Sequence, residues 1–269
     1  MRRRPRAEDY PFFDNAGMPI AYAHRGGALT GDGLGLENTM VAFATAVELG
    51  YRYIETDVRA TADGVLLAFH DGTLERSTDR TGVIARLPYD AVRKAKIDGR
   101  EPIPLLADVL SSWPDLHVNI DAKANSAVQP LASAIAEHRA WDRVCVASFN
   151  ARRLSYLRQL VGRRVASALS PVEVAAWRYL PRPVLRQLSI GRGGQAAQVP
   201  VRHGPVEVVT CGFIERAHDL GKVVHVWTID APAQMCALLD QGVDAIISDR
   251  IDLLRDVFQA RGVWNGPRR

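Results

Sequence analysis

The chain has 269 residues, 47% apolar and 24% charged, and a net charge of +4. That is the make-up of a folded globular protein of one large or two small domains, and it excludes a disordered, collagenous or low-complexity chain. The mild excess of 34 Lys+Arg over 30 Asp+Glu comes with no zinc-finger, RRM-like or helix-turn-helix pattern, so nucleic acid is not an expected partner.

The basic start (Arg2, Arg3, Arg4, Arg6) runs into Glu8 and Asp9 rather than into the apolar core of a signal peptide. No apolar run is long enough for a transmembrane helix, so the expected compartment is the cytoplasm. Strand-like runs follow at Ile20–Ala23, Tyr53–Val58, Val65–Phe69, Leu116–Ile120, Val144–Ala147, Arg164–Ala168, Val223–Thr228 and Ala245–Ile247. Helical patterns fall between them. The clearest starts after the cap Asn38–Thr39, sets Met40, Phe43, Ala44 and Val47 on one face, and stops at Gly50. Others are Pro104–Ser111, Gln129–His138, Ala151–Leu160, Phe213–Leu220 and Ala233–Leu239.

Eight strands alternating with helices over about 250 residues predict a single-domain (β/α)8 TIM barrel, with an open doubly wound sheet as the rival. Gly31–Gly35 lacks the spacing of a dinucleotide loop and reads as an ordinary loop. Residues 170–205 carry Pro171, Pro181, Pro183, Pro200, Pro205 and five arginines, and read as a long loop with a short helix around Val172–Leu180. The domain reading is a basic extension over 1–18, a barrel over 19–258 and a tail over 259–269. Cys145, Cys211 and Cys236 are too widely spaced for a disulfide framework or a metal knuckle.

Ionisable residues gather at the C-terminal ends of the first four expected strands: His24-Arg25, Glu55-Thr56-Asp57, His70-Asp71 and Asp121-Ala122-Lys123. In a barrel these ends converge on one mouth. Glu55 and Asp57 are two apart and share a side, as do Asp121 and Lys123. Converging carboxylates repel unless a cation lies between them, and a hard divalent ion suits oxygen donors. With Arg25 and Lys123 beside it, such a centre suits a phosphate. His24 and His70 on either side can act as general acid and base. Each residue alone has an ordinary structural reading. So many ionisable groups on adjacent strand ends would be costly as decoration, which favours function.

The set resembles the glycerophosphodiester phosphodiesterase family. The likeness runs through His24-Arg25-Gly26, Glu37-Asn38-Thr39, Glu55-Thr56-Asp57-Val58, Thr61-Ala62-Asp63-Gly64 and His70-Asp71. It continues through Leu74, Arg76, Thr78, Gly82, Ile103-Pro104-Leu105-Leu106, Asn119–Lys123, Ala147-Ser148-Phe149, Val226–Asp230 and Gly242–Asp249. The resemblance implies a TIM barrel that hydrolyses glycerophosphodiesters to sn-glycerol 3-phosphate and an alcohol with Mg or Ca. It implies Glu55, Asp57 and Asp121 as metal ligands, His24 and His70 as the acid/base pair, and Arg25, Lys123 and Trp227 as substrate-binding residues. The nucleophile is water or the glycerol 2-hydroxyl. Glu37 is read as a support of the first loop or as a neighbour of the metal site, without a ligand role, and His225 as structural. Where the family usually has Glu-Ile-Lys this chain has Asp121-Ala122-Lys123, which sets the third carboxylate back by about 1.5 Å. The alternative is a phospholipase D-like or lyase activity on lysophospholipid or sphingolipid head groups, with peripheral lipid contact through 170–205. A non-catalytic phosphate-binding protein is the other rival.

Overall fold

The computed structural model describes residues 5–14, 18–179, 193–264 and 266. Eight parallel strands form the centre: β1 (Ile20–His24), β2 (Tyr53–Ala60), β3 (His117–Ala122), β4 (Val144–Ala147), β5 (Ala166–Ser167), β6 (Ala196–Pro200), β7 (Val223–Trp227) and β8 (Ala245–Ser248). Their spatial order is β5-β4-β3-β2-β1-β8-β7-β6. The ring closes through a parallel bridge between Ala168 and Ala196, with Gln195 N–H donating to Ser167 O at 2.7 Å. This is the expected TIM barrel rather than an open sheet.

Helices α1 (Met40–Glu48), α2 (Leu106–Ser112), α3 (Val128–Glu137), α4 (Ala151–Val161), α5 (Pro171–Tyr179), α6 (Cys211–Asp219), α7 (Pro232–Asp240) and α8 (Ile251–Ala260) surround it. The local causes are plain. Thr39, Asn150 and Thr210 each accept a backbone N–H at the start of their helix, supplying a partner that the first turn lacks. The apolar stripes of these helices bury Phe43, Leu131, Ile135, Leu154, Leu157 and Phe213 against the outward faces of the strands. Each such side chain contributes roughly 1.5–3 kcal/mol.

Two strand readings need correction. Val65–Phe69 is not a barrel strand: its core, Leu66–Ala68, runs antiparallel to the overrun of β2, pairing with Val58–Ala60. The chain climbs past the mouth, turns and comes back, and Phe69 N–H reaches Asp57 O at 2.8 Å. The eighth barrel strand is instead β6, within the segment read as loop. Ala196-Ala197-Gln198-Val199-Pro200 has one β-branched residue and ends in proline, so its sequence carries little strand signal. Burial between β7 and the β5 edge makes it a strand. Helix α5 forms as expected, and the Arg/Pro-rich part at 180–192 lies outside the described residues. Helix α8 was not foreseen.

The lower barrel is filled from below. Phe12 and Phe13 of the N-terminal segment pack beneath Tyr22, Tyr53, His117 and His225, and Tyr53 Oη donates to Phe12 O at 2.7 Å. With that end closed, the polar residues of the strands face the open C-terminal mouth.

Candidate active site

The mouth opens into a cavity of about 620 Å³ lined by His24, Arg25, Glu55, Asp57, His70, Asp121, Lys123 and Trp227. All eight residues singled out in the sequence are therefore brought together. Strand parity explains why: Glu55 and Asp57 on β2, and Asp121 on β3, alternate inward. β2 and β3 pair with Asp57 opposite Asp121. His70 arrives on the return from the antiparallel excursion and not from a barrel strand.

After β1 the backbone turns sharply, with Arg25 at φ +49 and Gly26 at φ +86. A Cβ on Gly26 would stand 2.7 Å from Ala42 Cβ, so a side chain there would push the turn off α1. Held this way, Arg25 points its guanidinium at two carboxylates: Nε is 3.1 Å from Asp57 Oδ2, and Nη1 donates to Glu37 at 3.2 Å. Arg76 in turn pairs with both Glu37 and Asp71. Lys123 Nζ lies 2.9 Å from Asp57 Oδ1 and 2.6 Å from Asp121 Oδ2. The rim is thus a chain of alternating charges from Asp71 through Arg76, Glu37, Arg25, Asp57 and Lys123 to Asp121.

Both imidazoles have a carboxylate on Nδ1. His24 Nδ1 is 2.8 Å from Asp249 Oδ1, and His70 Nδ1 is 2.6 Å from Asp71 Oδ1. Arg59 Nε donates to His70 O at 2.7 Å and fixes that turn. His24 Nε2 faces Glu55 Oε2 at 3.8 Å. Burial disfavours a charged His24, but the Asp249 hydrogen bond and the Glu55 charge outweigh it and raise its pKa. Glu55 is raised by burial and by the charge of Asp57. Asp57 is lowered despite its burial, because Lys123 and Arg25 stand against it. Asp121 is raised by burial, which Lys123 only partly offsets.

Among the described residues no three His, Cys, Asp or Glu side chains are already grouped as a cation cage. The Lys123 ammonium stands between Asp57 and Asp121. The donors nevertheless fit a hard cation. Glu55, Asp57 and Asp121 present carboxylate oxygens, the donor type such an ion takes, and Asp121 Oδ1 is buried without a hydrogen-bond partner. Buried carboxylates at raised pKa are short of positive charge, which a cation would provide.

Several residues at the site carry no role in the sequence reading. Asp249 and Asp71 hold the histidines, and Asn38 Nδ2 donates to Asp57 Oδ2 at 3.1 Å while its Oδ1 accepts from Thr56. Asp71 could have been inferred from its place beside His70. Asp249 could not, because its role depends on β8 neighbouring β1. Phe149 stands edge-on to Trp227 at 5.7 Å and under Lys123 Nζ at 5.3 Å. His225 is fully buried between Phe13 and Tyr22, below the mouth, in keeping with its structural reading.

A parallel eight-stranded barrel with histidines, carboxylates and fixed cations at its C-terminal mouth defines a TIM-barrel enzyme. The sequence profile of the Glycerophosphoryl diester phosphodiesterase family matches residues 24–253. A Mycobacterium tuberculosis protein named probable glycerophosphodiester phosphodiesterase 2 is 43% identical over 253 residues, covering 93% of this chain and 94% of its own. The structure of an Oleispira antarctica phosphodiesterase in complex with the product sn-glycerol-3-phosphate superposes with TM-score 0.75 at 20% identity, covering 90% of this chain and 97% of that one. A glycerophosphodiester phosphodiesterase from Agrobacterium tumefaciens gives 0.73 at 22%, covering 88% and 99%. The chain belongs to the glycerophosphoryl diester phosphodiesterase family and is a phosphoric diester hydrolase.

Proposed function

We propose that the protein hydrolyses a glycerophosphodiester to sn-glycerol 3-phosphate and an alcohol, with His24 and His70 as the acid/base pair. The observation that carries this is two imidazoles, each tied through Nδ1 to a carboxylate, in one cavity with Arg25 and Lys123. Tying Nδ1 leaves Nε2 to exchange protons with substrate. One imidazole accepts the proton of the attacking hydroxyl. The other donates a proton to the departing alkoxide as its P–O bond breaks. Arg25 and Lys123 bind phosphate oxygens and offset the charge that develops there. Trp227 lines the glycerol end. The product complex of the Oleispira relative supports the choice of sn-glycerol 3-phosphate.

Glu55, Asp57 and Asp121 would hold a divalent cation, Mg or Ca. Its chemistry there would be charge neutralisation of the phosphate. For Asp57 and Asp121 to reach it, Lys123 shifts from carboxylate to phosphate. The working compartment on this reading is the cytoplasm; no helix among the described residues is long and apolar enough to cross a membrane.

The test is product analysis on a panel of glycerophosphodiesters with Mg, with Ca and with EDTA. Glycerophosphocholine should yield choline and glycerol 3-phosphate. His24→Ala and His70→Ala should each lower kcat by about 10²–10⁴. Near-normal turnover in either variant would overturn the assignment. Turnover of lysophosphatidylcholine with none of glycerophosphocholine would favour the phospholipase D-like reading.

A further inference from the structure

The two sides of the mouth differ in charge balance. The carboxylates that line the cavity, Glu55, Asp57 and Asp121, come from β2 and β3, and Arg25 and Lys123 stand beside them. The strand order sets β5 across the ring from β1, and β6 across from β2. The wall that follows β5 and β6 is largely apolar, with Leu169, Val174, Val199 and Val208, and among the described residues it has no carboxylate. Arg178 on α5 and His203 after β6 are the charged or chargeable side chains it adds. Phe149 after β4 and Trp227 at the end of β7 flank this side and meet edge-on at 5.7 Å.

Arg178 has no acidic partner among the described residues. Its Nε is buried without a hydrogen-bond partner, and the Tyr179 ring lies 5.6 Å from its guanidinium. The sequence explains the imbalance. Between Ser148 and Thr210 there are ten arginines and two acids, Glu173 and Glu207. Glu173 is taken by Arg158 at 2.9 Å. Glu207 alternates with Val206 and Val208, which line the cavity while it does not. Arg178 sits on an anchored helix, because Trp177 is fully buried and stacks on Phe213 at 4.8 Å. His203 is set by a short hairpin, in which it pairs with Val206. A guanidinium short of acceptors beside an apolar wall suits a carboxylate or phosphate, whose oxygens match its fork of donors.

We propose that Arg178 and His203 form an anion subsite, so that the alcohol esterified to glycerol 3-phosphate carries a carboxylate or phosphate of its own. The proposal rests on the diesterase reading above and adds the charge of the departing alcohol. The scissile phosphate lies among Arg25, Lys123 and the histidines, and the glycerol lies against Trp227. The far end of the alcohol reaches the α5 side. The cavity, about 620 Å³, is large enough for both ends of such a diester. A cationic head group would meet Arg178 with no carboxylate beside it to receive the charge. Glycerophosphocholine is therefore a substrate and not a preferred one.

The test uses esters of sn-glycerol 3-phosphate with four short alcohols: 3-hydroxypropanoate, 2-phosphoethanol, ethylene glycol and ethanolamine. They differ chiefly in the charge at the far end. Release of glycerol 3-phosphate is followed at low and at high salt. At low salt kcat/KM for the better of the two anionic esters should exceed that for the neutral ester by about tenfold, mainly through KM, and the ethanolamine ester should be the poorest. The carboxylate and phosphate arms show which anion the subsite takes. High salt should narrow the spread. Arg178→Gln should bring the anionic and neutral esters within about twofold, and Arg178→Glu should turn the preference towards ethanolamine. His203→Gln should narrow it in part, and serves if the Arg178 variants fail to fold. Equal or reversed preference in the unaltered protein, with the neutral ester still hydrolysed, overturns the subsite and leaves the diesterase reading standing. A preference that none of these variants alters overturns it too. Turnover of none of the esters overturns both readings.

Discussion

Asp249 Oδ1 stands 2.8 Å from His24 Nδ1, although the two residues are 225 positions apart. β8 pairs directly with β1, and that pairing brings them together. Asp249 is itself held: Asp230 Oδ1 accepts from Ser248 Oγ and from the backbone N–H groups of Asp249 and Arg250. The carboxylate therefore reaches His24 from a fixed turn. On the proposed mechanism this makes it a positioning residue, acting through the imidazole.

Asp249→Asn should lower kcat about 10- to 100-fold with little change in KM, the usual scale for losing the partner that orients a working histidine. Steady-state kinetics on glycerophosphocholine measure it. An unchanged kcat would mean that His24 needs no such orientation.

Arg76 tests the charged chain along the rim. It is 52% exposed, so its ion pairs should contribute under about 1 kcal/mol to stability. Yet it holds both Asp71, the partner of His70, and Glu37, the partner of Arg25. Arg76→Ala should leave the melting temperature within a few degrees while lowering kcat about tenfold. A large thermal shift with normal kcat would recast Arg76 as purely structural.

Chelation should abolish turnover, and Mg or Ca should restore it. Asp121→Asn should weaken the activating metal by about 10-fold or more, because a neutral amide oxygen replaces a carboxylate. Calorimetric titration of the metal reads this without relying on activity. Equal affinity in the variant would remove Asp121 from the ligand set.

The lower barrel predicts an acid-sensitive fold. His117 and His225 are buried, and desolvation depresses their pKa values to about 4 and about 3. In the unfolded chain each takes a proton below about 6.5. Their contribution is thus fully present above pH 6.5 and is lost as pH falls towards 4 and then 3. For His117 the loss is roughly 3 kcal/mol, a large part of the roughly 5–15 kcal/mol of an ordinary domain. Urea midpoints should fall between pH 7.5 and pH 4.5, and less steeply in His225→Leu. Parallel slopes in the two proteins would show that His225 is not responsible.

Much of this molecule was legible in its amino acids. Period-two alternation showed that Glu55 shares a face with Asp57 and Asp121 with Lys123. Capping at Thr39 and the stop at Gly50 marked α1, and the alternation of strands with helices pointed to the barrel, although the eight strands counted included Leu66–Ala68 and lacked β6. These are local properties, carried by neighbours in the chain. β6 was hidden because a strand buried on both faces needs no alternation, and Ala-Ala-Gln-Val-Pro has little propensity of its own. The excursion after β2 was misread because a short apolar run does not reveal which strand it pairs with. Tertiary structure alone decided that His70 enters from this antiparallel return, that Asp249 reaches His24 across the closing strands, and that the mouth has a charged and an apolar half. All three depend on which strands become neighbours when the sheet closes, and that is settled by burying the whole barrel at once.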